Sequence, residues 1–186
     1  NGRSEVMVGR GSFTESFPLF GYDLDDYEEL FDEKLEMLDK IKNNEKLTWE
    51  GKHTQSVLDK GVYPRAIQED FPIWVATGGN VESTVKIAQK GFPIAYAIIG
   101  GEYRRFKGLV DYYKAVGRNA GYSEDNLKVA SHSWGFIADT DEEVIKKYFH
   151  PTKQVVDAKS KDRPFWRPLT FEQYLNSVGP EGSMLV

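Results

Sequence analysis

The stretch IWVATGGNVESTVKIAQKGFPIAYAII, residues 73–99, decides the fold. Ile73 to Thr77 is an apolar run of strand length, broken by Gly78-Gly79-Asn80. Val81 to Lys90 reads as a helix, and Gly91 supplies its C-terminal cap. Phe92 to Ile99 is a second apolar run, ended by Gly100-Gly101. Two strands that are nearly all apolar, joined by one helix, form a parallel β-α-β unit whose strands are covered on both faces.

The same grammar extends in both directions. Upstream, Glu5 to Gly9 (EVMVG) reads as a strand that meets the loop Arg10-Gly11-Ser12. Tyr27, Leu30, Phe31, Leu35, Leu38 and Ile41 then recur at helical spacing. Acidic residues crowd the first turns of this helix and Lys40 and Lys42 its last, which complements the helix dipole. Residues 43–72 are polar and irregular, with a short hairpin expected near Trp49. Downstream, Phe106, Leu109, Val110, Tyr113 and Val116 mark a helix that stops at Gly121. Lys128 to Ile137 is the next strand. Thr140-Asp141-Glu142-Glu143 opens a helix with a capping box, and Thr170 to Gln173 repeats that spacing. Residues 150–170 read as a long excursion, and the run up to Val186 as a fifth strand.

This order predicts an α/β protein with consecutive parallel strands at 5–9, 73–77, 94–99, 128–137 and 183–186. An open doubly wound sheet and part of a (β/α)8 TIM barrel both satisfy it. A whole barrel takes about 250 residues, so about five of eight strands is the expectation. The chain then forms a single partial barrel domain over residues 1–186, with an insertion or lid at about 149–178. It opens at Asn1 and stops within an apolar run, as expected of the central piece of a longer fold.

Composition excludes several functions. The chain has 186 residues, 40% of them hydrophobic, which is enough for a packed core. A formal net charge of -5 argues against a nucleic-acid surface. No apolar run approaches the ~18 residues of a membrane helix, and Arg3 and Glu5 interrupt any leader at the start. No membrane partner and a cytoplasmic location are the expectations. With no cysteine and only three scattered histidines, the chain offers neither a thiolate nucleophile nor a His-rich metal site. An organic cofactor would have to supply redox chemistry.

Ligands of parallel sheets bind at the C-terminal ends of the strands. Glycines mark those ends here: Gly9-Arg10-Gly11-Ser12, Gly78-Gly79-Asn80 and Gly100-Gly101. Asn80 leads into a helix N-terminus, which suits a phosphate, and Arg10 adds a bidentate donor from a neighbouring strand end. Tight βα turns alone would also account for the glycines, since neither a P-loop nor a GxGxxG is present. On the fourth strand, alternation places His132 and Trp134 on one face and Ser131 and Ser133 on the other. His132 suits a hydrogen-bonded structural role as well as a catalytic one. Lys159, Lys161, Arg163 and Arg167 form either a solvated loop face or part of a lid.

Several of these motifs carry a likeness. Val8-Gly9-Arg10-Gly11-Ser12-Phe13, followed by Phe17 to Leu24 (FPLFGYDL), resembles the luciferase-like flavin-dependent monooxygenases. The resemblance continues through Pro72 to Ala76, Gly78-Gly79, Gly91-Phe92-Pro93, Ile98 to Gly101, Ser131 to Phe136 and Gly179 to Gly182. It implies a (β/α)8 barrel that binds FMN, or in some branches the deazaflavin F420. It assigns the flavin phosphate to Arg10 with Gly11 and Ser12, and to Gly78, Gly79 and Asn80, where glycines replace the family's side-chain donors. It places Ala95 and Ile98 against the isoalloxazine, while the strand bearing the catalytic histidine of luciferase lies outside this sequence; His132 on the fourth strand is the catalytic candidate that the residues themselves offer. It implies a small organic substrate, O2, a flavin reductase and a homodimer. A shortened, non-catalytic flavin-binding barrel is the alternative, and a fragment with no ligand a third.

Overall fold

Runs of β-branched and aromatic residues cannot share one helical stripe, and here they pair as strands. The computed structural model describes residues 2–11, 13–99, 102–162, 167–179, 182 and 184–185. The elements in chain order are β1 (Val6–Val8), α1 (Ser16–Leu19), α2 (Tyr27–Asn43), β2 (Lys46–Trp49), β3 (Val57–Gly61), β4 (Ile73–Thr77) and α3 (Val81–Gln89). They continue with β5 (Ile94–Ile98), α4 (Phe106–Asn119), β6 (Val129–Gly135), α5 (Asp141–Asp162), α6 (Phe171–Ser177) and β7 (Met184–Leu185).

One sheet has the order β1-β4-β5-β6-β7, and every pairing in it is parallel. Strands 73–77 and 94–99, whose antiparallel pairing would exclude a barrel, are parallel neighbours with Val75 opposite Ile94. The result is an α/β fold with a parallel sheet, consistent with part of a barrel. The hairpin expected near Trp49 is β2-β3, a separate antiparallel pair.

Register sorts the side chains onto two faces. Val8, Val75, Ile94, Tyr96 and Val129 face the helices, where they pack with Leu35 of α2, Ile87 and Ala88 of α3, and Phe106 and Tyr113 of α4. Val75, Ile94 and Tyr113 have no accessible surface. Full burial of such an aliphatic side chain stabilises by about 1.5–3 kcal/mol. Tyr113 donates its hydroxyl to Phe92 O at 2.7 Å. The other face carries Met7, Trp74, Ala76, Ala95, Ala97, Ala130, His132 and Trp134, of which Met7, His132 and Trp134 are exposed.

The excursion expected over 150–170 is corrected in its first half. α5 continues through Pro151 to Asp162. Proline removes one backbone donor, but the turn around it keeps its contacts. Thr152 Oγ1 donates to Tyr148 O at 2.8 Å, and Lys153 Nζ meets Asp157 Oδ2 at 2.7 Å. Asp157 also accepts from Leu169 N, tying the chain beyond α5 back to the helix. Phe149 then packs on Phe171 and Tyr174 of α6, with ring centroids 5.0 and 5.2 Å away. The capping box at Thr170 and Gln173 is present with both of its hydrogen bonds. Among the described residues, no helix is long and apolar enough to cross a membrane.

Candidate functional site

β1 and β4 are hydrogen-bonded neighbours, so the loops that leave their C-terminal ends lie side by side. Arg10 follows β1, and its side chain is 12% exposed. Its Nη1 donates to Ser83 Oγ at 3.3 Å, in the first turn of α3. Its Nη2 donates to Glu28 Oε2 at 2.7 Å. The guanidinium carbon lies 4.7 Å from the Phe31 ring centroid and 6.0 Å from that of Tyr27. Arg10 Nε is buried with no hydrogen-bond partner.

α3 begins because Asn80 caps it. Asn80 Oδ1 accepts the Ser83 N–H at 3.1 Å, and its φ of -75° and ψ of 133° are extended. The first-turn N–H groups before Ser83 have no partner inside the helix. Gly79 has a φ of +94°, and a Cβ there would meet Phe106 Cε1 at 2.7 Å. Both facts require glycine. At Gly78 a Cβ would meet nothing within 4 Å, so that turn is open to a ligand. Gly11 has a φ of +79° and its carbonyl accepts from Tyr27 Oη at 3.2 Å. Ser12, Gly100 and Gly101 lie outside the described residues. The structure thus brings Arg10, Gly78, Gly79 and Asn80 to one place, with the helix start against the guanidinium.

A second feature lies on the face of the sheet turned away from the helix-side core. Ala76, Ala95, Ala97 and Ala130 form a floor of small side chains between Trp74 and Trp134. A Cβ on Gly9 would touch Ala76 Cβ at 3.4 Å, which places Gly9 on this floor too. Trp74 Nε1 donates to Glu5 Oε2 at 2.7 Å. Ile98 departs from the expectation. It is buried among the helix-side core residues, because an odd separation from Ala95 puts it on the opposite face. Ile99, next in sequence after the strand, is exposed. His132 faces the open side opposite Ala97, exposed, with Trp134 beside it on that face.

Two groups near Arg10 were not legible as a site. Glu28 reads in the sequence as a helix-start carboxylate, yet it holds the guanidinium. Beside it, Lys86 Nζ lies 3.2 Å from Asp32, 3.4 Å from Glu82 and 3.9 Å from Glu28. The Asp32 carboxylate holds the Lys86 ammonium above its ordinary range. At the start of α2, the His53 imidazole lies 3.6 Å from Asp26 and 3.3 Å from Glu29, one carboxylate at each ring nitrogen. Glu33 shapes the loop that presents His53. It accepts from Lys52 N at 2.8 Å, His53 N at 3.0 Å and Thr54 Oγ1 at 2.7 Å.

Comparison with known proteins places the chain in a family and a fold. The model of the luciferase-like monooxygenase family matches residues 1–181. The alkanal monooxygenase alpha chain of Photobacterium phosphoreum is 29% identical over 143 residues, covering 76% of this chain and 39% of that protein. The chain therefore spans well under half the length of this curated relative. Among solved structures, the monooxygenase RslO1 of Streptomyces bottropensis superposes with a TM-score of 0.74 at 21% identity, over 86% of this chain and 49% of that one. The oxygenating constituent of the 3,6-diketocamphane monooxygenase of Pseudomonas putida, a type II Baeyer-Villiger monooxygenase in complex with FMN, gives a TM-score of 0.54 at 18% identity over 80% of this chain and 47% of that one. The parallel sheet, the glycine-marked strand ends and the match over residues 1–181 agree: this chain belongs to the luciferase-like monooxygenase family.

Proposed function

We propose that this chain carries the flavin site of a monooxygenase that uses FMN and O2 to oxidise a small organic substrate. The observation that carries the reading is the convergence of Arg10 with the N-terminus of α3 at the C-terminal ends of β1 and β4. The residues present fit a phosphate. Arg10 keeps a buried Nε without a partner, Gly78 leaves open space, and α3 presents first-turn N–H groups. FMN is favoured over the deazaflavin F420 by the diketocamphane monooxygenase neighbour, whose description names FMN.

Bound reduced flavin supplies the electrons that activate O2. This chain's own residues bind, orient and shield it. Arg10, Gly78, Gly79 and Asn80 hold the phosphate. Ala76, Ala95, Ala97 and Ala130 form a flat surface for a planar ring, where larger side chains would obstruct it. His132 stands on that surface as the candidate to hold or accept a proton at an imidazole nitrogen. α5 and α6 act as the lid, and Lys159 Nζ already reaches across to the Phe13 ring at 4.0 Å. A reductase supplying reduced flavin and a second copy of the chain are the implied partners, and the cytoplasm the implied location. Flavin binding without turnover is the second reading. It is favoured by the exposure of the open face, where Met7 is 56% and Trp134 47% accessible, because water at a reaction centre promotes side reactions.

Titration of FMN into the wild-type chain and Arg10→Ala tests the assignment. A charge-assisted contact contributes about 1.5–3 kcal/mol, so Arg10→Ala is expected to weaken FMN by about one to two decades. Equal affinities would show that Arg10 serves the fold alone and would overturn the reading.

A further inference from the structure

A guanidinium beside a helix N-terminus concentrates positive potential, and in this structure the chain itself answers it. Glu28 Oε2 lies 2.7 Å from Arg10 Nη2, and the Glu28 side chain is 57% exposed. The surrounding charges lean the same way. Arg10 and Lys86 are the cations, and Glu28, Asp32 and Glu82 are the carboxylates within 4 Å of them. The place assigned to a phosphate is thus already occupied by an anion and carries a carboxylate in excess. Glu28 can leave: it is on the exposed flank of α2, whose hold on the core comes from Leu30 and Leu35. Arg10 is not free to leave in the same way, being packed over Phe31 and bonded to Ser83.

We propose that Glu28 is a built-in competitor for the ligand phosphate at Arg10, so that this residue sets how strongly the site prefers a phosphorylated flavin over an unphosphorylated one. The inference rests on the flavin reading above. In the absence of ligand, Glu28 neutralises a largely buried cation that would otherwise lack a counter-ion. When a phosphate arrives, Glu28 is displaced towards solvent, and its remaining negative charge opposes the bound anion across a few ångströms. Two like charges about 6 Å apart, at an effective dielectric constant of about 40 between the protein-surface and bulk-water values, change an affinity by about tenfold. The effect falls on the phosphate alone and leaves the ring contacts with the alanine floor unchanged.

The test compares FMN with riboflavin, which lacks the phosphate, on the wild-type chain, Glu28→Gln and Glu28→Ala, with affinity read from quenching of flavin fluorescence. Both substitutions are at an exposed helix position and keep the helix. The expected result is FMN binding about tenfold tighter in both variants, with riboflavin affinity unchanged. The ligand-free variants should melt at a lower temperature than wild type, because Arg10 has lost its counter-ion. Unchanged or weaker FMN binding in both variants, with riboflavin still bound, overturns the role of Glu28 and leaves the flavin site standing. Equal tightening of FMN and riboflavin also overturns it, since the phosphate would not be the group that Glu28 opposes. Failure of the wild-type chain and both variants to bind either flavin overturns the flavin reading itself.

Discussion

At the scale of single residues, Glu33 shows how one carboxylate can organise a loop. Burial pushes its carboxyl upward, but the Thr54 hydroxyl and the His53 and Lys52 N–H groups outweigh that and hold it below its ordinary value of 4.5. A depressed carboxylate contributes stability that is present above the unfolded value and lost as pH falls through the folded one. Acid unfolding followed by tryptophan fluorescence should therefore show a loss of stability below about pH 4.5 that Glu33→Gln reduces. An identical acid profile in the variant would remove Glu33 from the account. Residue-level legibility was uneven for a physical reason. Arg10 was readable because an Arg-Gly pair closing an apolar run must sit at a strand end. Its partner Glu28 was not, because which flank of α2 faces β1 depends on the packing of Leu30 and Leu35. The expectation that Ala95 and Ile98 share one surface overlooked the period of two: residues an odd number apart on a strand cannot share a face, and Ile98 lies with the helix-side core.

At the scale of elements, α4 is pinned to the loop that leads into β6 by a missing side chain. Gly117 is buried in the helix interior, and a Cβ there would meet the two methyls of Leu127, with Cγ at 3.1 Å. Gly to Ala in an exposed helix gains about 1 kcal/mol. Overpacking against a fully buried leucine costs about 1–3 kcal/mol, and Leu127 is 1% exposed. Gly117→Ala should lower stability by about 1 kcal/mol in urea denaturation, the reverse of the helix-propensity expectation. A stabilised variant would mean that Leu127 repacks without cost. Strand and helix positions were largely legible from periodicity, since each β-α-β unit repeats the same grammar. The full length of α5 was not. Pro151 and the charges after it read as a break, whereas the i,i+4 pair Lys153–Asp157 and the Thr152 bond carry the helix across. The four-residue α1 was also invisible, since it holds one buried residue, Phe17, and has no side-chain cap.

At the scale of the whole molecule, the sheet has one face covered by helices and one that is partly exposed. This face exposes Met7 and Trp134, and exposed apolar surface drives association. The chain of residues 1–186 should therefore self-associate in light scattering at micromolar concentration. Trp134→Glu, which places a charge on that face at the C-terminal end of β6, should shift it towards monomer, and an unchanged mass would locate the contact elsewhere. The central claim is that a flavin lies on this face with its phosphate at Arg10. Difference density from a crystal of the FMN complex tests it most directly. The account predicts phosphate density within hydrogen-bond distance of the Arg10 guanidinium and the first turn of α3, with the ring over Ala76, Ala95, Ala97 and Ala130. Phosphate density away from Arg10, or a ring on any other surface, would contradict it.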